Sequence, residues 1–366
     1  MAETKKEKAL IAMSGGVDSS VAACLMTEAG YECIGVTMKL FDNGDIGINK
    51  EHSCCSLSDV EDARNVATSL GMKYYVFNFM DRFKDMVMTP FAQAYENGCT
   101  PNPCIDCNRF LKFDKLYSRA KELGCEYVVT GHYARIEQDP KTGRWLLKDA
   151  ADGNKDQSYV LYSLTQDQLA HTKFPLGGMT KPEARKLAEE HGFVNAHKHD
   201  SQDICFVPDG KYADFIEDFT GKKYPAGQFI GTNGEVYGQH KGIIHYTVGQ
   251  RKGLGISFPQ PMYVTKVDPA DNTVTLGKHE ELFSTTLTAN DVNLISVEKI
   301  TEPMRVTAKV RYRQPARPAT VTQNEDGTIK VVFDEHQRAI TKGQAVVLYD
   351  GDIVVGGGTI TETENG

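Results

Sequence analysis

The alternation of apolar and polar positions divides the chain into two parts. Up to about residue 210, short apolar runs alternate with segments of helical length and period, and several of these segments end at glycine. Strands are predicted at residues 9–13, 33–40, 73–79 and 127–130. Helices are predicted at residues 17–29, 57–70 and 110–123. Because helices connect the strands, a parallel sheet covered on both faces is expected.

After residue 211 the pattern changes, because glycine, proline and threonine become frequent and the apolar stretches become short. Short strands with turn signals between them are typical of small β-domains. We therefore predict an α/β protein with three domains. The expected domains are an N-terminal parallel-sheet domain at 1–210, a small central β-rich domain at 211–282, and a C-terminal β-barrel-like domain at 283–366.

Composition narrows the class of protein. The chain has 366 residues, of which 40% are hydrophobic and 25% charged, enough for several packed cores. The apolar runs are too short to span a membrane and the charged N-terminus leads into no signal-type core, so a cytoplasmic protein is expected. Nine cysteines without a secretion signal favour reactive or metal-binding thiols over a disulfide framework.

A glycine-rich loop joins the first predicted strand to the first predicted helix. Its small residues allow backbone N–H groups to approach phosphate oxygens at the positive end of a helix. The loop lacks the Gly-Lys-Ser/Thr ending of a Walker motif, so no lysine reaches the outer phosphates from within it. A simple tight turn between a strand and a helix is the competing interpretation.

The string S-G-G-V-D-S at 14–19 resembles the PP-loop of the ATP pyrophosphatase superfamily, which has a Rossmann-like fold of the adenine nucleotide α-hydrolase type. Such enzymes split ATP between its α and β phosphates and leave AMP on a substrate oxygen. The resemblance implies that Asp18 helps to hold Mg²⁺. It also implies an ATP site formed by Ala12, Met13, Ser14, Gly15, Gly16, Val17, Asp18 and Ser19.

Two cysteines, Cys104 and Cys107, precede a helix that is predicted to begin near Arg109. A thiol just ahead of a helix N-terminus has its thiolate favoured, so Cys107 is expected to be reactive, with Cys205 as a third candidate. A structural zinc site completed by Cys99, Cys205, His197 or His199 is the alternative. Other cysteines carry no motif: Cys24, Cys33 and Cys125 are expected in the core, and Cys54 and Cys55 receive no role.

Six motifs in order along the chain closely resemble the tRNA-specific 2-thiouridylase family. They are S-G-G-V-D-S at 14–19, T-P-N-P-C-I-D-C-N at 100–108, T-G-H-Y-A at 130–134, K-D-Q-S-Y at 155–159, D-S-Q-D-I-C-F at 200–206 and Y-T-V-G-Q-R-K-G-L-G at 246–255. The resemblance implies ATP-dependent replacement of the C2 oxygen of wobble uridine 34 in tRNA by sulfur. The sulfur would come from a persulfide supplied by a sulfur-relay protein or a cysteine desulfurase.

The same resemblance assigns roles to individual residues. Cys205 would carry the persulfide and Cys107 would be the nucleophile that frees the sulfur, after which the two can form a disulfide bond. Met38 and Gly131 would contact the adenosine part of ATP. The target base would lie at Asn102, Pro103 and Cys104. Contacts with the rest of the tRNA would come from His132, Lys155, Asp156, Gln157, Arg311, Tyr312 and Gln344.

Cys104 departs from the family pattern, because many relatives have an aspartate there that is proposed as an acid/base. The change leaves the identity of the general acid/base open. It also supplies three thiols, Cys104, Cys107 and Cys205, which are enough to hold an iron-sulfur cluster with one iron left open for sulfur. Zinc bound by these thiols, or no metal at all, remains the alternative.

Basic residues concentrate in two segments although the net charge is −8. Residues 299–317 contain six basic residues and one acidic residue, on predicted strands that include Tyr312, and residues 237–267 contain no acidic residue. This pattern suits phosphate contact with stacking on an unpaired base, whereas a solvated basic strand face is the simpler alternative. The competing functions are an amidating PP-loop ligase and a zinc-bearing RNA-binding protein without catalysis.

Overall fold

The computed structural model describes residues 6–42, 57–198, 203–207 and 209–364. The chain divides into two compact units. The first takes the described residues up to Val87, those from Cys104 to Gly210, and Asp352–Val354. The second takes Met88–Pro103, Lys211–Gly351 and the described residues from Val355 onward. The three predicted domain boundaries remain a prediction.

The helices and strands of the described residues are as follows. The α-helices are α1 Val17–Glu28, α2 Leu57–Ser69, α3 Met80–Phe83, α4 Thr89–Glu96, α5 Pro103–Asp106, α6 Leu116–Glu122, α7 Gln166–Ala170, α8 Lys181–Glu190 and α9 Tyr212–Thr220. Lys84–Met88 and Cys107–Lys115 are π-helical, and Ser158–Leu161, Ile243–His245 and His279–Leu282 are 3₁₀-helical. The strands are β1 Lys8–Ala12, β2 Glu32–Lys39, β3 Lys73–Asn78, β4 Tyr127–Val129, β5 Arg135–Gln138, β6 Trp145–Lys148, β7 Thr172–Lys173, β8 Gly227–Gly231, β9 Val236–His240, β10 Tyr263–Asp268, β11 Thr273–Gly277, β12 Phe283–Leu294, β13 Met304–Lys309, β14 Arg317–Gln323, β15 Ile329–Arg338, β16 Ala345–Asp350 and β17 Ile353–Glu364.

A five-stranded parallel sheet forms the centre of the first unit, in the order β3-β2-β1-β4-β7. Strand β1 is continuously apolar because it lies in the middle of the sheet, where Ala9, Leu10 and Ile11 are fully buried. Helices α1 and α8 pack in the same core cluster through small side chains, including Ala22, Ala23, Ala184 and Ala188. The predicted parallel sheet is confirmed.

Two β-structures make up most of the second unit. One is a four-stranded sheet in the order β10-β11-β8-β9. The other is a barrel in the order β12-β15-β14-β13-β16-β17, which closes because β17 also pairs with β12. Its core consists of alternating inward residues such as Val306, Val321, Val331, Val346 and Leu348. The predicted fold class, an α/β domain followed by a β-domain and a barrel, is confirmed.

One helix begins earlier than predicted. A continuous helical segment runs from Pro103 to Glu122 through α5, the π-helix and α6, whereas the sequence placed the helix start near Arg109. The reason is Pro103 itself, since proline is favoured at the first position of a helix, where its missing N–H is not needed. Within the described residues, no helix is both long and apolar enough to cross a membrane.

Candidate active site

The glycine-rich loop lies where the strand order of the parallel sheet reverses. From β1 the chain proceeds to β2 and β3 on one side, and β4 lies on the other side of β1. Ligands of open α/β sheets bind in the crevice at the carboxyl ends of the strands at such a point. Ser14 to Ser19 follow β1, and Thr130 to His132 follow β4. The fold therefore brings two separate motifs to one crevice.

Hydrogen bonds within the loop fix its shape. The backbone N–H of Ser14 donates to Ser19 Oγ at 3.2 Å, and the hydroxyls of Ser19 and Ser20 donate to the Gly16 carbonyl at 3.0 and 3.1 Å. Gly15 has φ +75°, and a Cβ there would clash with the Asp59 carbonyl oxygen. Glycine is therefore required at position 15 both by conformation and by space.

Gly131 lies against the backbone of the first turn of α1. A Cβ on Gly131 would meet the Asp18 carbonyl carbon at 2.7 Å and the Ser19 nitrogen at 2.8 Å. These are backbone atoms of a helix start, which cannot turn aside as a side chain can. Gly131 thus allows β4 and the glycine-rich loop to approach closely.

We expect Gly131→Ala to weaken ATP binding at least about 10-fold, because the added methyl pushes the start of α1 away from β4. Gly153→Ala is the matched control, since a Cβ at Gly153 meets nothing within 4 Å. Isothermal titration with a non-hydrolysable ATP analogue measures the difference. Equal affinities in the two variants would contradict a close-approach role for Gly131.

A buried lysine that the sequence did not reveal lies against the first turn of α1, which follows the glycine-rich loop. Lys181 Nζ donates to both carboxylate oxygens of Asp18 at 2.7 Å, and its side chain is 8% exposed. The Tyr133 hydroxyl donates to Asp18 Oδ1 at 2.8 Å. Two hydrogen bonds join Tyr133 to Gln157. The Tyr133 N–H donates to Gln157 Oε1 at 3.0 Å, and the Gln157 N–H donates to the Tyr133 carbonyl at 2.9 Å. The structure therefore places a cation at the loop although the loop has no Walker lysine.

The start of α8 carries a local signal that could have identified Lys181. Thr180 and Glu183 form a capping box at the start of α8, and the lysine directly follows the cap. A cation in the first turn opposes the helix dipole, so a lysine there is unfavourable unless an anion compensates it. Asp18 is that anion.

Polar side chains also support the loop through Gly15. The Asn195 amide donates to the Gly15 carbonyl and to Ser20 Oγ, both at 2.9 Å, and Asn195 is 2% exposed. Lys198 Nζ donates to the same carbonyl at 3.3 Å and to Asp62 at 2.8 Å, and it also pairs with Asp59. These contacts link the loop to α2 and to the segment after α8.

Cys107 does not lie ahead of a helix, so that expectation was wrong. It begins the π-helix inside the segment from Pro103, and it is buried, whereas the exposed Cys104 occupies the first helical turn. Burial raises the pKa of the Cys107 thiol, the nearby Lys112 charge lowers it and Asp106 raises it further. A thiolate at Cys107 therefore depends on Lys112 and not on the helix N-terminus.

His132 lies next to that lysine. Lys112 Nζ is 3.5 Å from His132 Nε2, and Thr130 Oγ1 is 2.6 Å from His132 Nδ1. Burial, reinforced by the Lys112 charge, lowers the pKa of His132 well below its usual value, so the imidazole is neutral at pH 7. Its Nε2 can then accept from Lys112 while Nδ1–H donates to Thr130. His132 is 8% exposed. Its contact with tRNA stays a prediction.

Cys205 is positioned by its neighbour. Phe206 is buried and packs edge-on against Phe83 with ring centroids 5.5 Å apart, and Cys205 itself is half-buried. His199 and the first three residues of the D-S-Q-D-I-C-F motif lie outside the described residues, as do Cys54 and Cys55. The chemistry expected of Cys205 stays a prediction.

Among the described residues, the cysteines considered for a metal site do not form a group of three ligands for a single ion. Among the described residues, the only three potential ligand atoms from different His, Cys, Asp or Glu residues that lie within 4.8 Å of one another belong to Cys24, Glu28 and His191. This trio includes none of the cysteines Cys99, Cys104, Cys107 and Cys205. The zinc site that is the alternative for these thiols stays a prediction, since His199 lies outside the described residues.

The second unit holds the segment that was expected to meet the target base. The Gln344 amide donates to the carbonyls of Thr100 at 2.8 Å and Pro101 at 3.4 Å, and the Thr100 N–H donates to the Lys342 carbonyl at 2.9 Å. A barrel loop thus fixes the residues directly ahead of Asn102 and Pro103. Gln344 has a positioning role, and its contact with tRNA stays a prediction.

The other expected tRNA residues divide into two sets. Arg311 and Tyr312 lie in the turn after β13, whereas the sequence predicted a strand there. Arg311 Nη2 donates to the carbonyls of Val248 and Ala339, both at 3.1 Å, and to Thr341 Oγ1 at 2.7 Å. Tyr312 is 38% exposed. In the first unit, the Asp156 carboxylate accepts from the N–H groups of Ala150 and Ser158, which orders the loop of Lys155 and Gln157.

Comparisons with known proteins cover nearly the whole chain. Three family models match: a tRNA methyl transferase HUP domain at residues 7–209, a tRNA methyl transferase PRC-barrel domain at 213–278 and an aminomethyltransferase beta-barrel domain at 284–360. The tRNA-specific 2-thiouridylase MnmA of Clostridioides difficile is 53% identical over 98% of this chain and 99% of that protein. The enzyme of the same name from Acetivibrio thermocellus is 52% identical over 97% and 99%. Among solved structures, a 4-thiouridine synthetase in complex with RNA and ATP aligns with a TM-score of 0.37 and 19% identity, over 59% of this chain and 54% of that one.

Proposed function

Because the chain belongs to the tRNA-specific 2-thiouridylase family, we propose that it replaces the C2 oxygen of wobble uridine 34 in tRNA by sulfur at the expense of ATP. The protein is a tRNA sulfurtransferase. Two of the three family models are described as tRNA methyl transferase domains. The proposed activity follows instead from the relatives named as 2-thiouridylases, because their similarity extends over 97–98% of this chain.

The observation that carries the first half-reaction is the loop of Ser14 to Ser19 with Asp18 and Lys181 at the strand-order reversal. Oriented N–H groups, a helix N-terminus and a lysine converge there, a set that stabilises phosphate charge. A carbonyl oxygen is a poor leaving group, whereas AMP leaves readily. The C2 oxygen of uridine attacks the α-phosphorus, pyrophosphate departs, and the O-adenylated base remains.

Lys181 changes its partner in this step. In the free enzyme its charge is neutralised by Asp18. With ATP bound, the lysine turns to the departing pyrophosphate, where negative charge accumulates, and Tyr133 keeps Asp18 in place. Asp18 is then the carboxylate that can hold Mg²⁺, which would supply further charge neutralisation on the phosphates.

The second half-reaction exchanges AMP for sulfur. The terminal sulfur of a Cys205 persulfide attacks C2, the C2–O bond to AMP breaks, and the base is joined to Cys205 through a disulfide. The Cys107 thiolate then attacks the Cys205 sulfur, which breaks the bond to the base sulfur and leaves 2-thiouridine. The two cysteines end as a disulfide, which an external thiol must reduce before the next turnover.

Cluster-dependent thiolation is the second candidate, and a specific observation favours it. Cys104 and Cys107 lie three residues apart on one continuous helical segment, which places them about one turn apart. Burial also keeps Cys107 from ionising readily, and binding to iron would overcome this by taking the place of the proton. Cys104, Cys107 and Cys205 would hold the cluster, which would supply an open iron for a sulfur atom.

Mass spectrometry of tRNA nucleosides tests the function. Purified enzyme is incubated with unmodified tRNA, ATP, Mg²⁺ and a persulfide donor, either a cysteine desulfurase with cysteine or a sulfur-relay protein. We expect 2-thiouridine at position 34, with AMP and pyrophosphate in equal amount. AMP formation together with an aminated base would instead identify an amidating ligase, and tRNA binding without AMP formation would identify a binding protein.

Arg311 provides a separate test of tRNA binding. We expect Arg311→Ala to weaken tRNA binding and to reduce the slope of log K against log salt by about 0.7–0.9, the loss of one phosphate contact. Arg305→Ala is the control, because Arg305 is exposed on β13 and already pairs with Asp334. Since Arg311 also holds Thr341, the melting temperature of the variant is measured as well. An unchanged salt slope with weaker binding would indicate a structural role only.

A further inference from the structure

Cys24, Glu28 and His191 form a compact trio in the first unit, toward the C-terminal ends of α1 and α8, whereas the glycine-rich loop precedes the start of α1. His191 Nε2 is 3.4 Å from Cys24 Sγ and 3.3 Å from Glu28 Oε1. The three ligand atoms lie within 4.8 Å of one another. None of these residues takes part in the proposed thiolation, and no motif in the sequence drew attention to them.

The spacing of the trio matches the edges of a tetrahedron. Zinc bonds of about 2.3 Å to sulfur and about 2.0–2.2 Å to nitrogen and oxygen give tetrahedral edges of about 3.5 Å between sulfur and nitrogen and about 3.4 Å between nitrogen and oxygen. The observed separations of 3.4 and 3.3 Å agree with these values. We propose that Cys24, Glu28 and His191 bind one zinc-type divalent cation, with water as the fourth ligand.

The surroundings of the trio suit this role better than that of a nucleophile. Cys24 is completely buried, and burial together with the Glu28 carboxylate raises its pKa to about 11, so the thiol is not reactive by itself. The side chains of His191 and Glu28 are 32% and 55% exposed, which leaves a path for the ion and for a water ligand. Binding of the ion releases the thiol proton to solvent.

The local structure explains how the ligands meet. Cys24 and Glu28 are four residues apart on α1 and therefore share one face. His191 ends α8, where its N–H donates to the Leu187 carbonyl and its ring stacks on Phe193 at 5.7 Å. Alanines on both helices lie in the common core cluster and allow the helices to approach closely.

The ion would couple the two helices that carry the ATP-site charges. Asp18 is in the first turn of α1 and Lys181 is the first residue of α8, and these residues pair at the starts of the helices. Cys24, Glu28 and His191 join the same helices near their ends. A bound cation would therefore clamp α1 and α8 at one end while the ion pair joins them at the other.

Metal binding by the full-length protein tests the proposal. The reduced protein is stripped with a chelator under anaerobic conditions and titrated with Zn²⁺, followed by elemental analysis, and with Co²⁺, followed by its visible spectrum. The variants are Cys24→Ala, Glu28→Gln and His191→Asn. Cys33→Ala is the matched control, because Cys33 is a buried thiol of the same core cluster that does not belong to the trio.

We expect wild type and Cys33→Ala to bind one more zinc per chain than Cys24→Ala. His191→Asn and Glu28→Gln should bind that zinc at least about 10-fold more weakly, since loss of a ligand exceeds the cost of losing an outer-shell partner. Cobalt should give a tetrahedral spectrum with a thiolate charge-transfer band that Cys24→Ala lacks. Because Glu28 and His191 are partly exposed, their variants are expected to fold even if Cys24→Ala does not. The same stoichiometry, affinity and spectrum in wild type, Glu28→Gln and His191→Asn would overturn the proposal.

Discussion

Lys181→Met is expected to lower kcat/KM for ATP-dependent thiolation by roughly 10²- to 10³-fold, which corresponds to about 3–4 kcal/mol of lost transition-state stabilisation. The variant keeps the length of the side chain and removes the only charge that contacts both oxygens of Asp18 in the described part of the chain. The loss should fall on AMP formation, because the lysine acts where pyrophosphate charge develops. Affinity for tRNA should remain unchanged.

Lys186→Met is the matched control for this change. Lys186 lies on the same helix α8, but its side chain is 76% exposed and its partner is Glu190, one turn further along. Lys181→Arg should recover part of the rate, since it restores the charge with a bulkier head group. Single-turnover assays of AMP release measure all three variants. If Lys181→Met forms AMP at the wild-type rate and only its melting temperature falls, the lysine is a structural partner of Asp18.

Cys205→Ser and Cys107→Ser should each abolish 2-thiouridine formation, a loss of more than about 10³-fold, because a hydroxyl cannot form the persulfide or resolve it. Adenylation should continue, since the ATP loop and Lys181 are intact. AMP without thiolated base is therefore the expected product pattern. Nucleoside mass spectrometry and AMP release measured on the same sample give both quantities.

Cys104→Ser separates the two sulfur mechanisms. In the persulfide mechanism only Cys107 and Cys205 change their bonds, so this variant should retain most of the activity. In the cluster mechanism the three thiols are equivalent ligands, and loss of Cys104 should remove both iron and activity. Cys99→Ala is the control, because Cys99 lies in the same stretch of chain but is not one of the thiols that either sulfur mechanism uses. Retained thiolation in Cys205→Ser would contradict both mechanisms.

Local sequence determined the elements that depend on neighbouring residues. Apolar runs of strand length and glycines after helical segments located β1 to β4, α1 and α2 almost to the residue. The glycine-rich loop was recognised for the same reason, since its chemistry is contained in six consecutive residues. Pro103 is also a local signal for a helix start, but the start is predicted too late, near Arg109.

Only the tertiary structure decided which distant residues complete the site. Lys181 pairs with Asp18 across 163 positions of sequence, and Asn195 reaches Gly15 across 180. These pairs depend on the strand order of the sheet and on how α8 packs against α1, which no local pattern specifies. The pKa of Cys107 depends likewise on burial, which the helix-terminus argument could not include. The sequence determined that phosphate chemistry and thiols occur in this protein, and the packing of α1, α8 and the segment from Pro103 decided which charges act on them.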